Sequence, residues 1–101
     1  MRNSLGTAAA AAIFLTAGPL LAEANGPLLA QACAGCHGQS GAGMGATPDI
    51  RGHHPDDFVH IWEEFREGNR PATIMGRIAR GYTEAEVEAL ADYFSGLEAR
   101  Q

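Results

Sequence analysis

The chain has 101 residues, a net charge of −5 and two cysteines, and all seven of its basic residues are arginine. An acidic, lysine-free chain lacks the clustered cations that neutralise phosphates, which argues against nucleic acid as a partner. The length allows one small domain and no more.

Residues 1–24 read as a secretory signal. Arg2 supplies the positive start, Ala8 to Ala17 is an uncharged run containing Ile13, Phe14 and Leu15, Gly18-Pro19 interrupts it, and Ala22-Glu23-Ala24 is a small-x-small cleavage site. The run is short for a bilayer span and no basic stop-transfer flank follows. Cleavage is therefore expected, leaving residues 25–101 as an exported, periplasmic domain with no stable membrane insertion. Arg2 and Glu23 leave together, so the net charge is unchanged. The remaining aromatics are Phe58, Trp62, Phe65, Tyr82, Tyr93 and Phe94. So small a core calls for a disulfide set, a metal or a large apolar cofactor.

No stretch alternates in the manner of a half-buried strand, which predicts an all-α domain. The first helix should start near Gly26-Pro27, with proline in the tolerated first turn, and carry Leu28, Leu29, Ala32, Cys33 and Cys36 inward. A loop follows His37, too rich in glycine (Gly38, Gly41, Gly43, Gly45) for a regular element, and leads to Pro48. Pro55 should open a second helix with Asp56 and Asp57 in its first turn, where carboxylates favour the helix dipole. Its stripe Phe58, Ile61, Trp62, Phe65 has the i, i+3, i+4, i+7 spacing of a core-facing helix, and Gly68-Asn69 ends it. A short helix over about Pro71 to Arg80 would carry Ile74, Met75 and Ile78, closed by Gly81. Thr83 and Glu86 form a capping-box pattern at the head of the last helix, with Val87, Leu90, Ala91, Phe94 and Leu97 on one face and Glu84, Glu88 and Asp92 on the other.

Cys33-Ala34-Gly35-Cys36-His37 carries the chemistry. Cys-x-x-Cys-His is the signature of covalent c-type haem attachment. Cysteines at i and i+3 leave one helix face together, where two thiolates can add to the two vinyl groups of one porphyrin edge. The adjacent His37 then serves as proximal iron ligand. A disulfide closing so short a loop would constrain little, a thioredoxin-like pair would need a βαβ pattern, and a zinc site would need a second ligand pair. His53, His54 and His60 are not spaced to provide one; His53-His54 is most simply a solvated pair and His60 an exposed side chain.

An electron carrier wants a second strong axial ligand, and a methionine thioether raises the potential relative to a second histidine. Met75 is the candidate distal ligand, ahead of a histidine and of Met44, which lies only seven residues after His37 and would have to cross the haem edge sharply. His37 also needs its Nδ1–H satisfied, which fixes the tautomer. Trp62, Phe65, Tyr82 and Phe94 are expected as haem-pocket packing. Arg66, Arg70, Arg77 and Arg80 bracket Met75; they either rim the haem edge and its propionates or form a solvated mixed-charge face.

The haem motif with its glycine loop resembles a class I cytochrome c. The run Thr73-Ile-Met-Gly-Arg-Ile-Ala-Arg-Gly-Tyr82, continuing through Ala91-Asp-Tyr-Phe94, resembles the cytochrome subunit of flavocytochrome c sulfide dehydrogenase. That resemblance implies haem attachment at Cys33 and Cys36, axial ligation by His37 and Met75, and an FAD-containing flavoprotein that oxidises sulfide and hands over its electrons singly. A proline after the haem motif often serves in class I cytochromes c, so the Pro48 carbonyl is the candidate acceptor for the His37 Nδ1–H, against a plain turn proline. It also places haem attachment outside the cytoplasm. Some members carry two haem domains; a single Cys-x-x-Cys-His makes this chain similar to the monohaem type. The expected function is electron transfer to a downstream acceptor protein, with no catalytic residue and no enzyme activity of its own. The alternatives are a free-standing soluble cytochrome and a haem with an open sixth position that binds or reduces a small ligand.

Overall fold

The computed structural model describes residues 4, 6–13 and 23–98. Residues 6–13 carry no helix, and the heart of the expected leader, residues 14–22, lies outside the described residues. Among the described residues there is no strand, only an isolated antiparallel bridge between Met44 and Thr47. The domain is all-α, and no described helix is long and apolar enough to cross a membrane.

Helix α1 (Gly26–Ala30) passes through a 3-10 turn (Gln31–Cys33) into α2 (Ala34–His37). Asn25 caps the start: its Oδ1 accepts the Leu28 N–H at 3.1 Å, with Pro27 in the first turn. The inward face differs from the one expected. Gly26 and Ala30 are buried and Leu29 and Cys33 half-buried, whereas Leu28 is 63% exposed and Ala32 is exposed; Cys36 lies at the surface, where an attached haem would cover it. Gly26 decides this. A Cβ there would lie 2.6 Å from the Ala89 carbonyl oxygen, so the helix crosses the last helix closely on its glycine side.

The glycine loop holds one regular piece that its composition hides, a 3-10 turn over Gln39–Gly41 with Ser40 at φ 60°. The loop is pinned by Ile50 N–H to Gly41 O at 2.9 Å and Gly52 N–H to Phe94 O at 3.1 Å. Helix α3 (Pro55–Glu67) starts at Pro55 as expected; His54 Nδ1 accepts the Asp56 N–H at 3.2 Å, and Gly68 ends the helix in the left-handed region. Phe58 and Trp62 are buried, Ile61 and Phe65 half-buried.

Helix α4 (Met75–Ala79) is shorter than the Pro71 to Arg80 span expected. Thr73 and Ile74 are β-branched, Ile74 sits at φ −129°, and no side chain caps the start, so the segment from Pro71 stays outside the helix. The Gly81 N–H closes the far end on Ile78 O at 3.0 Å. Helix α5 (Glu84–Ser95) begins with the complete capping box: Thr83 Oγ1 accepts the Glu86 N–H at 3.2 Å and Glu86 Oε1 accepts the Thr83 N–H at 2.9 Å.

The core lies where α5 meets α3 and α1. Val87, Leu90, Ala91 and Phe94 are buried, and Phe58 stacks on both Trp62 and Phe94 with ring centroids 6.0 and 5.9 Å apart. Deleting a ring such as that of Phe94 costs about 3–5 kcal/mol.

Candidate haem site

His37 closes the helical turn that carries both cysteines and is buried at 8% exposure. Its Nδ1–H donates to the Pro48 carbonyl oxygen at 2.7 Å, the acceptor suggested by the class I resemblance, so Pro48 is more than a plain turn proline. A carbonyl can only accept, so Nδ1 holds the proton and Nε2 is the nitrogen able to ligate. The main chain is clamped by the same loop, since the Gly43 N–H donates to His37 O at 2.6 Å. The loop must pass close: a Cβ on Gly43 would lie 3.0 Å from Asp49 N and 3.1 Å from Thr47 O. Cys33 is half-buried and Cys36 exposed, both as free thiols. Burial pushes the Cys33 thiol above its usual range.

Met75 is half-buried against the core and heads α4, which α3 holds from several directions. Trp62 Nε1–H donates to Ala79 O at 3.2 Å, Arg66 donates to Tyr82 O at 2.9 Å, and Arg80 Nε–H donates back to Arg66 O at 3.3 Å. His37 and Met75 are thus presented by separately supported elements, a glycine loop and a helix pair. Tyr82 links the two regions: it meets Trp62 edge-on at 5.2 Å, and its hydroxyl is held above the usual range by burial and then by the charges of Cys33 and Glu86. Met44 lies in the turn closed by its two hydrogen bonds to Thr47, on the loop that carries Pro48.

Trp62 and Phe94 are core residues, with Phe65 and Tyr82 packed beside them. The arginines around Met75 divide. Arg70 pairs with Glu64 and Arg66 with Glu63, whereas Arg77 has no ion-pair partner among the described residues. Arg66 Nε is buried without a hydrogen-bond partner. His53 and His54 are exposed as expected, and His60 rests against Glu64 at 3.3 Å. No group of three or more candidate metal-binding side chains occurs among the described residues.

A pair that the sequence reading passed over lies next to Pro48. Asp49 Oδ1 accepts both the Arg51 N–H at 2.9 Å and its Nε–H at 3.0 Å, and Oδ2 accepts from the guanidinium at 2.7 Å. The Arg51 side chain is only 9% exposed, and its hydrogen bonds hold the Asp49 carboxyl down at about 2. The available signal was Asp-x-Arg directly after a proline, an Asx-turn pattern.

A profile of the cytochrome c family matches residues 23–98. The chain belongs to the cytochrome c family. It is 37% identical to the cytochrome subunit of sulfide dehydrogenase of Chlorobaculum tepidum, over 83% of this chain and 83% of that one. It is 29% identical to cytochrome c-553 of Nitratidesulfovibrio vulgaris, over 73% of this chain and 78% of that one. Similarity to a thiosulfate dehydrogenase electron acceptor of Stutzerimonas stutzeri reaches 35% over 64% of this chain but spans only 32% of that longer protein.

The function of this cytochrome c is electron transfer and its cofactor is covalent haem c. The residues present fit that group. Two free thiols at i and i+3 and a buried imidazole with Nδ1 already engaged form a complete attachment set. Ile74, 54% exposed beside Met75, and Met44, 55% exposed, add apolar side chains of the kind a porphyrin covers.

Proposed function

We propose that this cytochrome is a periplasmic monohaem electron-transfer subunit that accepts electrons from a sulfide-oxidising, FAD-containing flavoprotein and passes them to a downstream carrier. In this reading the leader ends at Ala24 and residues 25–101 form the haem domain. Cys33 and Cys36 would hold the haem as thioethers, and His37 Nε2 and Met75 Sδ would be its iron ligands. Haem c, when bound, supplies one iron centre that takes up and returns a single electron.

The chain's own residues supply the rest. The Pro48 carbonyl fixes the His37 tautomer and ring plane and raises the basicity of Nε2. Trp62 holds the last carbonyl of α4 and Arg66 the Tyr82 carbonyl just beyond it, which keeps Met75 at a defined height. Met44, on the loop that already serves His37, is poorly placed to approach from the opposite side. No nucleophile or acid–base pair is required, so the chain is not an enzyme by itself.

The observation that carries the partner assignment is the match to the Chlorobaculum tepidum sulfide dehydrogenase subunit, which runs nearly end to end in both chains. The test is gentle purification of the native protein at moderate salt with flavin and haem measured together. A fixed flavin-to-haem ratio with a larger second chain supports the subunit. Haem alone in a monomer favours the second reading, a free-standing shuttle with small, salt-sensitive interfaces. The similarity to cytochrome c-553, also over most of both chains, is the observation behind that alternative.

A further inference from the structure

We propose that Asp49 and Arg51 are positioning residues for His37: their ion pair locks the Pro48–Asp49 peptide so that its carbonyl stays aimed at Nδ1, and through that hydrogen bond sets the electron affinity of the haem iron. The inference rests on His37 being the proximal ligand, as proposed above.

The direction of the Pro48 carbonyl depends on the peptide plane between residues 48 and 49. The proline ring restrains one side of that plane. On the other side the Asp49 carboxylate holds the main chain of Arg51 in an Asx turn and grips the same residue's guanidinium with both oxygens. Beneath it, Gly43 approaches so closely that a Cβ would lie 3.3 Å from the Pro48 carbonyl carbon. Beyond it, Ile50 N–H is tied to Gly41 O and Gly52 N–H to Phe94 O. The peptide is therefore enclosed, and the Asp49–Arg51 pair is the one fastening within this enclosure made by charged side chains. With Arg51 at 9% and Asp49 at 33% side-chain exposure, the pair is shielded from the solvent that weakens exposed ion pairs.

The chemical consequence follows from the donor. A tight Nδ1–H to carbonyl bond pushes electron density onto Nε2, which favours the oxidised iron. Loosening the carbonyl weakens that push, so the reduction potential rises. It also exposes the Nδ1–H to exchange with water.

The experiment uses the haem-loaded protein. Asp49→Ala removes the Asx turn and the ion pair; Asp49→Asn and Arg51→Gln each keep the turn and remove the charge pairing. The expected result is a higher midpoint potential in all three, largest for Asp49→Ala. Exchange of the His37 Nδ1–H, followed by NMR in the reduced protein, should speed up on the order of tenfold, the effect of losing one charge-assisted contact. If Asp49→Ala does not load with haem, the two milder variants read the same quantities. Lower melting temperatures with unmoved potential and unmoved exchange would overturn the proposal and leave the pair as a fold clamp. Failure of the underlying reading looks different: a His37→Ala protein that keeps the wild-type low-spin spectrum would remove His37 as the ligand.

Discussion

Replacing Trp62 with phenylalanine isolates one hydrogen bond. Ala79 is 0% exposed and ends α4, so its carbonyl is among those a helix leaves unpaired; the Trp62 Nε1–H supplies the partner at 3.2 Å. Phenylalanine preserves most of the stack on Phe58 and the edge contact with Tyr82 but strands that carbonyl. A buried unpaired acceptor costs about 1–3 kcal/mol. In a domain of this size each kcal/mol moves Tm by about 4–8 °C, so a loss of about 2 kcal/mol lowers it by about 8–16 °C. A five-residue helix has no stability of its own, and α4 begins with Met75, so the same change should weaken the proposed Met75 ligation. The assay pairs a thermal melt of the haem-loaded Trp62→Phe protein with carbon monoxide binding to its reduced form. A melt within about 1 °C of wild type, well below the shift expected from one stranded carbonyl, would refute the reasoning.

Three further changes probe the glycine loop, the α5 cap and the Asp49–Arg51 pair. Gly41→Ala puts a Cβ 2.7 Å from the Phe94 ring and 2.8 Å from Ile50 on a backbone at φ 73°; it should cost about 2 kcal/mol or more, and an unchanged denaturation midpoint would show that the loop does not pack there. Thr83→Ala removes half the capping box and should cost about 1 kcal/mol by urea titration, with Thr83→Ser restoring most of it. The Asp49 carboxyl is lowered from 3.8 to about 2, so its contribution is fully present above the ordinary value and is lost as pH falls through the folded one. Wild-type stability should therefore drop more steeply between about pH 4 and pH 2 than that of Asp49→Asn, and parallel profiles would contradict the assignment.

Most of the helical framework was legible because it rests on local signals. Pro55, the Phe58–Phe65 stripe, Gly68 and the Thr83/Glu86 box each act within one or two turns, and all appear where their chemistry places them. The His37–Pro48 bond was expected from the resemblance to class I cytochromes c, in which a proline after the haem motif often supplies the acceptor, while the residues themselves left a plain turn proline equally open. What escaped depends on packing at a distance. Gly26, by admitting the Ala89 carbonyl, turned Leu28 and Ala32 outward, a choice between two apolar stripes that spacing alone does not make. The fastening of the α4 end by Trp62 and of the Tyr82 carbonyl by Arg66 joins residues 17 and 16 positions apart in sequence, with no local mark, whereas the shortness of α4 follows from β-branched Thr73 and Ile74 and an uncapped start. The Asp49–Arg51 clamp was readable as an Asx turn, but its relation to His37 required the fold that brings Pro48 to the imidazole.

Carbon monoxide titration of the reduced, haem-loaded protein tests the proposed His37 and Met75 ligation most directly, since an iron held by both would have no open position. The wild-type spectrum should stay unchanged, whereas Met75→Ala should take up carbon monoxide readily. Ready uptake by the wild-type protein would contradict that ligation and make ligand binding, rather than electron transfer alone, the property to explain.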